Sequence, residues 1–333
     1  MNHPGVLIVG QGLAGTVLGW TLEQAGIDWA MIDAGHATAA SRVAAGIINP
    51  VTGQRWVKTW RIEELWPETR SLYQGMERAL GVPLWREIKI RRYWRTDKER
   101  RVLQAKCDRG VLAPYVESVN TDHCVLAPAA QVDVPAMLGA ARQRWQAEGR
   151  LTVGQVAWGK LGQNHSLVID CTGAAARHGL FAAWPWAISK GEVLRVHAPD
   201  LDPGIILHRG HWLLPVARGD AWVGATHEPG VDDTAPTAVA RDALLASGQR
   251  LTGLNLAPTE HLVGLRLAAD DKRPVIGRHS GSSGYGILAG LGSKGVLYAP
   301  WLARQWAEHI LLGSAFDSTV DILRLNPDNS GPR

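Results

Sequence analysis

The sequence predicts an α/β fold in which a parallel sheet is interrupted by a mainly antiparallel second unit. Three observations predict it. The apolar run Val6-Leu7-Ile8-Val9 leads straight into Gly10-Gln11-Gly12-Leu13-Ala14-Gly15. Strands and tight turns crowd the stretch from Gly191 to Thr226. The last third then returns to strand, glycine turn and helix.

Each element follows in order. A wholly apolar run of four is what a strand buried on both faces requires, so Val6 to Val9 opens a parallel sheet. Val17, Leu18, Thr21, Leu22 and Ala25 recur at helical spacing, and Gly26 stands where a C-cap belongs. Ile27 to Ile32 reads as the second strand, closing at Asp33 and completing a βαβ unit. Ser41 to Gly53, rich in Ala, Gly, Asn and Pro, reads as loop or ligand-facing backbone, followed by a basic helical stretch. Glu87 to Trp94 alternates like a strand. Ala136 to Glu148 reads as a helix, and Leu167-Val168-Ile169-Asp170 as a buried strand ending in Cys171-Thr172-Gly173-Ala174. Glu192 to Val196, His211 to Pro215 and Ala221 to Ala225 read as antiparallel strands. Gly286 to Ala289 is a strand again, then a glycine turn at 290–295, then a helix to Leu312 capped by Gly313.

Composition supports this picture. A chain of 333 residues with 46% hydrophobic and 20% charged residues and 37 glycines is globular, which excludes disorder, collagen and coiled coil. No apolar run approaches the ~18 residues of a membrane span, and Met1 to Gly5 lacks the look of a signal peptide, so the expected address is the cytoplasm. Cys107, Cys124 and Cys171 are odd in number and without CxxC spacing, which points to reduced thiols.

Charge is uneven. Residues 54–101 hold 13 Lys or Arg against seven Asp or Glu, together with Trp56, Trp60, Trp66, Trp85 and Trp94. Interleaved cations and rings suit nucleic acid. The structural reading is favoured instead: Trp56, Trp60 and Leu65 fall near helical spacing and pack inward while the arginines solvate the outer face. His208 and His211 lack a third ligand nearby, so no metal site is expected.

In G-x-G-x-x-G the first glycine permits the tight turn, the second lets a pyrophosphate approach, and the third lets helix and strand pack closely. Here Gly10, Gly12 and Gly15 follow a strand and open a helix, with Leu13 and Ala14 at its start. Asp33 comes 18 residues after Gly15, placed for a ribose hydroxyl. These features predict a bound dinucleotide, and an acid at that position disfavours a ribose phosphate.

Four further motifs carry a family resemblance. Ala39 to Pro50 resembles the flavin-facing segment of the D-amino acid oxidase family. Val168 to Ala174 resembles that family's strand and turn over FAD. Gly264-Leu265-Arg266 with Asp271-Lys272-Arg273-Pro274-Val275-Ile276-Gly277 resembles the C-terminal signature of glycine oxidase and its relatives. The turn at 290–295 and Ala299-Pro300 complete it, while Trp212 to Pro215 and Val223 to Thr226 resemble its substrate-domain strands.

The resemblance implies a Rossmann-like FAD-binding domain (1–84, 129–187 and 262–333) with a mainly antiparallel α+β substrate domain (85–128 and 188–261) inserted in it. It implies noncovalent FAD, since neither Cys nor His occurs between Gly264 and Gly277. Gly10, Gly12, Leu13, Ala14, Gly15, Asp33 and Ala34 would hold the ADP half. Arg42, Val43, Ala44, Ala45, Gly46 and Ile47 would run along the flavin, Val156 would meet the adenine through its backbone, and Thr172 and Gly173 would line the cofactor. Gly290, Gly292, Ser293, Lys294, Gly295 and Val296 would aim a helix N-terminus, and the Lys294 side chain, at negative charge on the reduced ring. Arg266 would fork onto a substrate carboxylate as lysine cannot. Trp212 stands where relatives place a smaller polar aromatic.

The implied activity is oxidation of the C–N bond of an amino acid or secondary amine by hydride transfer to flavin. Leu288 to Gly295 also resembles the oxidoreductase half of the bifunctional bacterial enzyme that trims a carboxymethylaminomethyl group on tRNA wobble uridine. A tRNA partner is therefore an alternative. A flavin-bound binding protein without turnover is a third.

Overall fold

The computed structural model describes residues 5–35, 39–156, 158–161, 165–216 and 219–325. The start of the chain behaves as its apolar pattern demands. β1 (Val6–Val9) is buried along its whole length, α1 (Leu13–Gln24) follows, and β2 (Trp29–Asp33) lies parallel to β1. Four more strands complete a six-stranded sheet. Leu167–Asp170 pairs with the other side of β1, Ser282–Ala289 lies beyond it, and Leu151–Val153 flanks β2, all parallel. Val275–His279 closes the far edge antiparallel. Helix Gly295–Leu312, mostly buried, packs against α1 over one face of this sheet.

A second, ten-stranded sheet is antiparallel except where Trp85–Tyr93 runs parallel to Ile205–Arg209. Its longest pairing joins Trp186–His197 to Ala257–Ala269, with Gly191 opposite Gly264 and Ser189 opposite Arg266. Because side chains alternate along a strand, Arg266, Gly264, Gly191 and Val193 all face one side. Helix Ala238–Thr252 covers the other side, over Leu194, Leu213 and Val223. Ile47–Ile48, from the N-terminal stretch, also joins this sheet, pairing with His123–Val132.

One expectation fails. Trp56 and Trp60 are not helical: Trp56 sits in a turn at φ +52°, and the helix begins at Ile62 and runs to Leu80. Inward packing is nevertheless achieved, by tertiary contacts that propensity does not encode. Trp56 is fully buried, its indole N–H donates to the Glu99 carbonyl at 2.9 Å, and the Arg92 guanidinium lies 3.7 Å from its ring centroid. Trp60 packs edge-on against Tyr298 and Trp301. The basic stretch continues as strand Trp85–Tyr93, matching the alternation of Glu87 to Trp94, and then as helix Asp97–Asp108.

Candidate active site

The C-terminal ends of the parallel strands and the inner face of the second sheet enclose a cleft of about 650 Å³. Its walls are built by β1 and its turn, the 39–47 segment, the turn after Asp170, strands of the second sheet and the 288–296 turn.

The glycine turn is set by backbone contact. Gly10 has φ +101°, open to glycine alone among L residues without strain. A Cβ on Gly15 would stand 1.9 Å from the Gly10 carbonyl oxygen, so Gly15 packs the turn instead of lining the cleft. That is the close-packing role expected of the third glycine. Leu13 N–H donates to Ser41 Oγ at 3.0 Å. The next N–H groups of α1, on Ala14 and Gly15, have no acceptor among the described residues, as at any helix start. A helix N-terminus with free donors on a cleft wall suits an anion.

Asp33 sits beside this turn with both carboxylate oxygens accepting hydrogen bonds. Its Oδ1 accepts from Gln11 N–H at 2.8 Å, and its Oδ2 accepts from Gly35 N–H at 2.7 Å and Arg142 Nη1 at 2.8 Å. Burial raises its pKa, but these hydrogen bonds outweigh it and hold the carboxyl below its ordinary value. Arg142, in helix Val134–Ala147, also donates to Gln11 Oε1, whose amide donates to the Leu138 carbonyl. Sequence reading missed this brace, since 109 residues separate Arg142 from Asp33.

Asp170 closes the opposite strand end. Its Oδ1 accepts from Thr172 N–H at 2.9 Å and Thr172 Oγ1 at 2.7 Å, fixing the turn whose Thr172 and Gly173 reach the cleft. Its Oδ2 is buried without a partner among the described residues, and burial pushes its pKa up to about 6.

Arg266 occupies the second sheet's side of the cleft. Its one hydrogen bond among the described residues runs from Nη1 to the Thr226 carbonyl at 3.3 Å. Among the described residues no carboxylate offsets its burial, which pushes its pKa down. Asp271, a sequence neighbour that could have paired with it, is held by Arg324 instead. The guanidinium lies flat on Gly191: a Cβ there would stand 2.2 Å from Nη1 and 2.4 Å from Cζ. Gly191 drew no attention in the sequence, because only the register with strand 257–269 reveals its contact. Trp212 also lines the cleft, its ring seated over Gly224, where a Cβ would come within 2.6 Å.

Of the remaining candidates, Gly12, Ala34, Arg42, Val43, Ala44, Ala45, Gly46, Ile47, Val156, Gly290, Gly292, Ser293, Gly295 and Val296 all reach the cleft. Lys294 does not. It stands at the N-cap of helix Gly295–Leu312 with its ammonium half-buried, so the backbone turn, not this side chain, faces the cavity. Arg177, His178 and Thr234 line the wall and were not anticipated. Among the described residues, no group of three His, Cys, Asp or Glu is arranged to hold a metal ion.

A glycine turn at a strand end, a braced carboxylate beside it and free helix-start donors define a dinucleotide-binding oxidoreductase fold. The chain belongs to the DAO family of FAD-dependent oxidoreductases, whose description matches residues 5–309, and FAD is the cofactor of this enzyme class.

Among curated proteins, it is 30% identical over 329 residues to the tRNA 5-methylaminomethyl-2-thiouridine biosynthesis bifunctional protein MnmC of Maricaulis maris, covering 92% of this chain and 52% of that one. The chain thus spans about half the length of that relative. Glycine oxidase of Pseudomonas aeruginosa is 30% identical over 122 residues, covering 36% of this chain and 34% of that one. Among solved structures, glycine oxidase from Geobacillus kaustophilus superposes with TM-score 0.79 at 21% identity, covering 97% of this chain and 99% of that one. Iminodiacetate oxidase from a Chelativorans species gives 0.76 at 20%, covering 97% and 98%. At that identity the two structures establish the fold. No helix among the described residues is long and apolar enough to cross a membrane.

Proposed function

We propose that this enzyme oxidises the C–N bond of an amine bearing a carboxylate on the adjacent carbon, a glycine unit free or N-substituted. The observation that carries the proposal is Arg266, a cation on the cleft wall that no carboxylate among the described residues pairs with. Burying an unpaired charge is costly, and a substrate carboxylate is the partner that would relieve it. The fork geometry of arginine fits a carboxylate with two parallel hydrogen bonds.

Bound FAD supplies the two-electron acceptor. Gly10, Gly12, Leu13, Ala14 and Asp33 would hold its ADP half, with Arg42 to Ile47, Thr172, Gly173 and the 290–296 turn along the rest. In the second sheet, Arg266 would fix the carboxylate, and Gly191 leaves room for the guanidinium to lie flat. Trp212 and Val193 would exclude water from the reacting carbon. The amine nitrogen, bound neutral, releases its lone pair into a C=N bond as the carbon loses hydride, so no protein base is required. Water then hydrolyses the imine to an oxo acid and the freed amine. Positioning and electrostatics are the protein's share of the reaction.

A second reading places the glycine unit on RNA. It is supported by the match across 92% of the chain to a protein named for tRNA uridine biosynthesis. Both readings share Arg266. Anaerobic mixing with glycine, sarcosine, iminodiacetate and tRNA bearing carboxymethylaminomethyluridine separates them. Bleaching of the flavin band by the small acids supports the first, and bleaching by the modified tRNA alone supports the second. Bleaching by none of them refutes the proposal.

A further inference from the structure

The hydrogen bond from Arg266 to the Thr226 carbonyl arises at an irregularity in the second sheet. Strand Asp220–Gly224 pairs antiparallel with Trp186–His197 as far as Gly224 opposite Val193. The pairing resumes at Glu228–Pro229, with Glu228 opposite Lys190. Three residues, Ala225 to His227, therefore stand across from only two, Gly191 and Glu192. An extra residue on one strand is a β-bulge, which interrupts the ladder and re-aims a group beside it.

Thr226 mends the ladder at this break. Its N–H donates to the Glu192 carbonyl at 3.1 Å, and its Oγ1 accepts from the Glu192 N–H at 2.9 Å. In an unbroken ladder a main-chain carbonyl would take that N–H. Here the hydroxyl takes it, and the Thr226 carbonyl accepts from Arg266 Nη1 instead. The hydroxyl proton is directed to Glu228 Oε1 at 3.4 Å, so the side chain is fixed from both sides.

The segment that follows is anchored to the same strand by buried groups. Glu192 is fully buried, and its carboxylate accepts from the Thr237 N–H and Oγ1, each at 2.9 Å, at the N-cap of helix Ala238–Thr252. Lys190, also buried, donates to Asp233 Oδ1 at 2.7 Å and to the Ala235 carbonyl. Ala225 lines the cleft and Thr226 does not, so Thr226 acts from behind the wall.

We propose that Thr226 is a positioning residue: its hydroxyl replaces a ladder carbonyl, and its own carbonyl is thereby left to aim the Arg266 fork at a substrate carboxylate. The inference rests on the carboxylate role proposed for Arg266. Gly191 gives the guanidinium a flat floor but no direction. A hydrogen bond to one Nη supplies the direction, and two parallel bonds to a carboxylate depend on it.

The test uses the FAD-loaded protein and acetate, a carboxylate with no amine to oxidise, with binding followed through the flavin absorbance band. Thr226→Val removes the hydroxyl, Thr226→Ser keeps it, and Arg266→Ala removes the fork. Arg266→Ala is expected to weaken acetate binding roughly 30-fold or more. Thr226→Val should weaken it by about fivefold to tenfold, the scale of one lost hydrogen bond, and Thr226→Ser should restore the parent affinity. The kcat/KM preference for N-methylglycine over dimethylamine should fall by the same factor in Thr226→Val, with FAD content and the reaction of dimethylamine at the parent level. If Arg266→Ala loses acetate while Thr226→Val binds it like the parent, or if the Val and Ser variants weaken it equally, the positioning role is refuted and the reading of Arg266 stands. If Thr226→Val sheds FAD and, once reloaded, binds acetate normally, the threonine supports the fold alone and the proposal fails. If acetate does not bind the parent, or binds Arg266→Ala equally well, the carboxylate reading fails and the positioning role falls with it.

Discussion

Asp33 and Arg266 are both half-buried charges on the wall of one cleft, and the chain treats them in opposite ways. Asp33 receives two backbone N–H groups and the Arg142 guanidinium, so its charge is compensated before any ligand arrives. Arg266 receives, among the described residues, one long contact to a carbonyl and no carboxylate. A compensated charge costs little to keep and serves geometry: it shapes the glycine turn and offers its remaining lone pairs. An uncompensated charge costs stability until a ligand pairs with it, and it serves recognition. On the proposed function, the dinucleotide end of the cleft is preorganised by the protein, and the substrate end would be completed by the substrate's carboxylate.

The largest expected effect falls at the uncompensated end. Arg266→Ala should lower kcat/KM for a carboxylated amine by about 2–5 kcal/mol of transition-state binding, with normal FAD content. Arg266→Lys should keep the charge but lose the fork, and recover only part of that loss. Steady-state kinetics beside the absorbance of the bound flavin checks both. Gly191→Ala comes next: its Cβ would force the guanidinium aside, so the loss should follow Arg266→Ala in kind and reach roughly 1–3 kcal/mol. If Gly191→Ala instead loses FAD and keeps turnover after reconstitution, Gly191 supports the cofactor and not Arg266.

At the compensated end, Asp33→Ala should weaken FAD binding by about 1.5–3 kcal/mol, measured by titration of the apoprotein, while turnover at saturating FAD stays near normal. The pH dependence has a definite sign. The folded-state pKa of Asp33 lies below its unfolded value near 3.8, so its contribution is complete at neutral pH and is lost only as pH falls through the folded value. Asp170 behaves in reverse. Its carboxyl titrates near 6 when folded against 3.8 unfolded, so stability declines as pH rises between those values and is flat above them. Asp170→Asn keeps an oxygen for Thr172 and removes the ionisation cost. It should melt higher than the parent at pH 7 by on the order of 1–2 kcal/mol, with the difference vanishing near pH 4. Equal melting at pH 7 would mean the buried carboxyl is neutralised by another route.

The same contrast explains what the sequence could disclose. β1, α1, β2 and Asp33 were legible because their determinants are local: an apolar run, glycines at fixed offsets, one acid at the end of the next strand. The helix ending at Gly313 was legible for the same reason, since Gly313 adopts φ +67° as its C-cap. Arg266 was reached through a resemblance, and nothing local marks it. Arg142 and Gly191 were not legible at all, because their importance arises from a salt bridge and a sheet register between distant segments. The sequence discloses that Trp56 faces inward but not that it is non-helical, because its burial is decided by Arg92 and Glu99 and not by the period of its own segment.

The most direct test of the compensated and uncompensated ends is anaerobic titration of the flavin band with N-methylglycine and, in parallel, with dimethylamine, its decarboxylated counterpart, in the parent protein and in Arg266→Ala. The account predicts that the acid bleaches the parent flavin far more readily than the plain amine, and that Arg266→Ala removes this preference while leaving the slow reaction of the plain amine unchanged. Equal bleaching by the two amines in the parent, or an intact preference in Arg266→Ala, would contradict it.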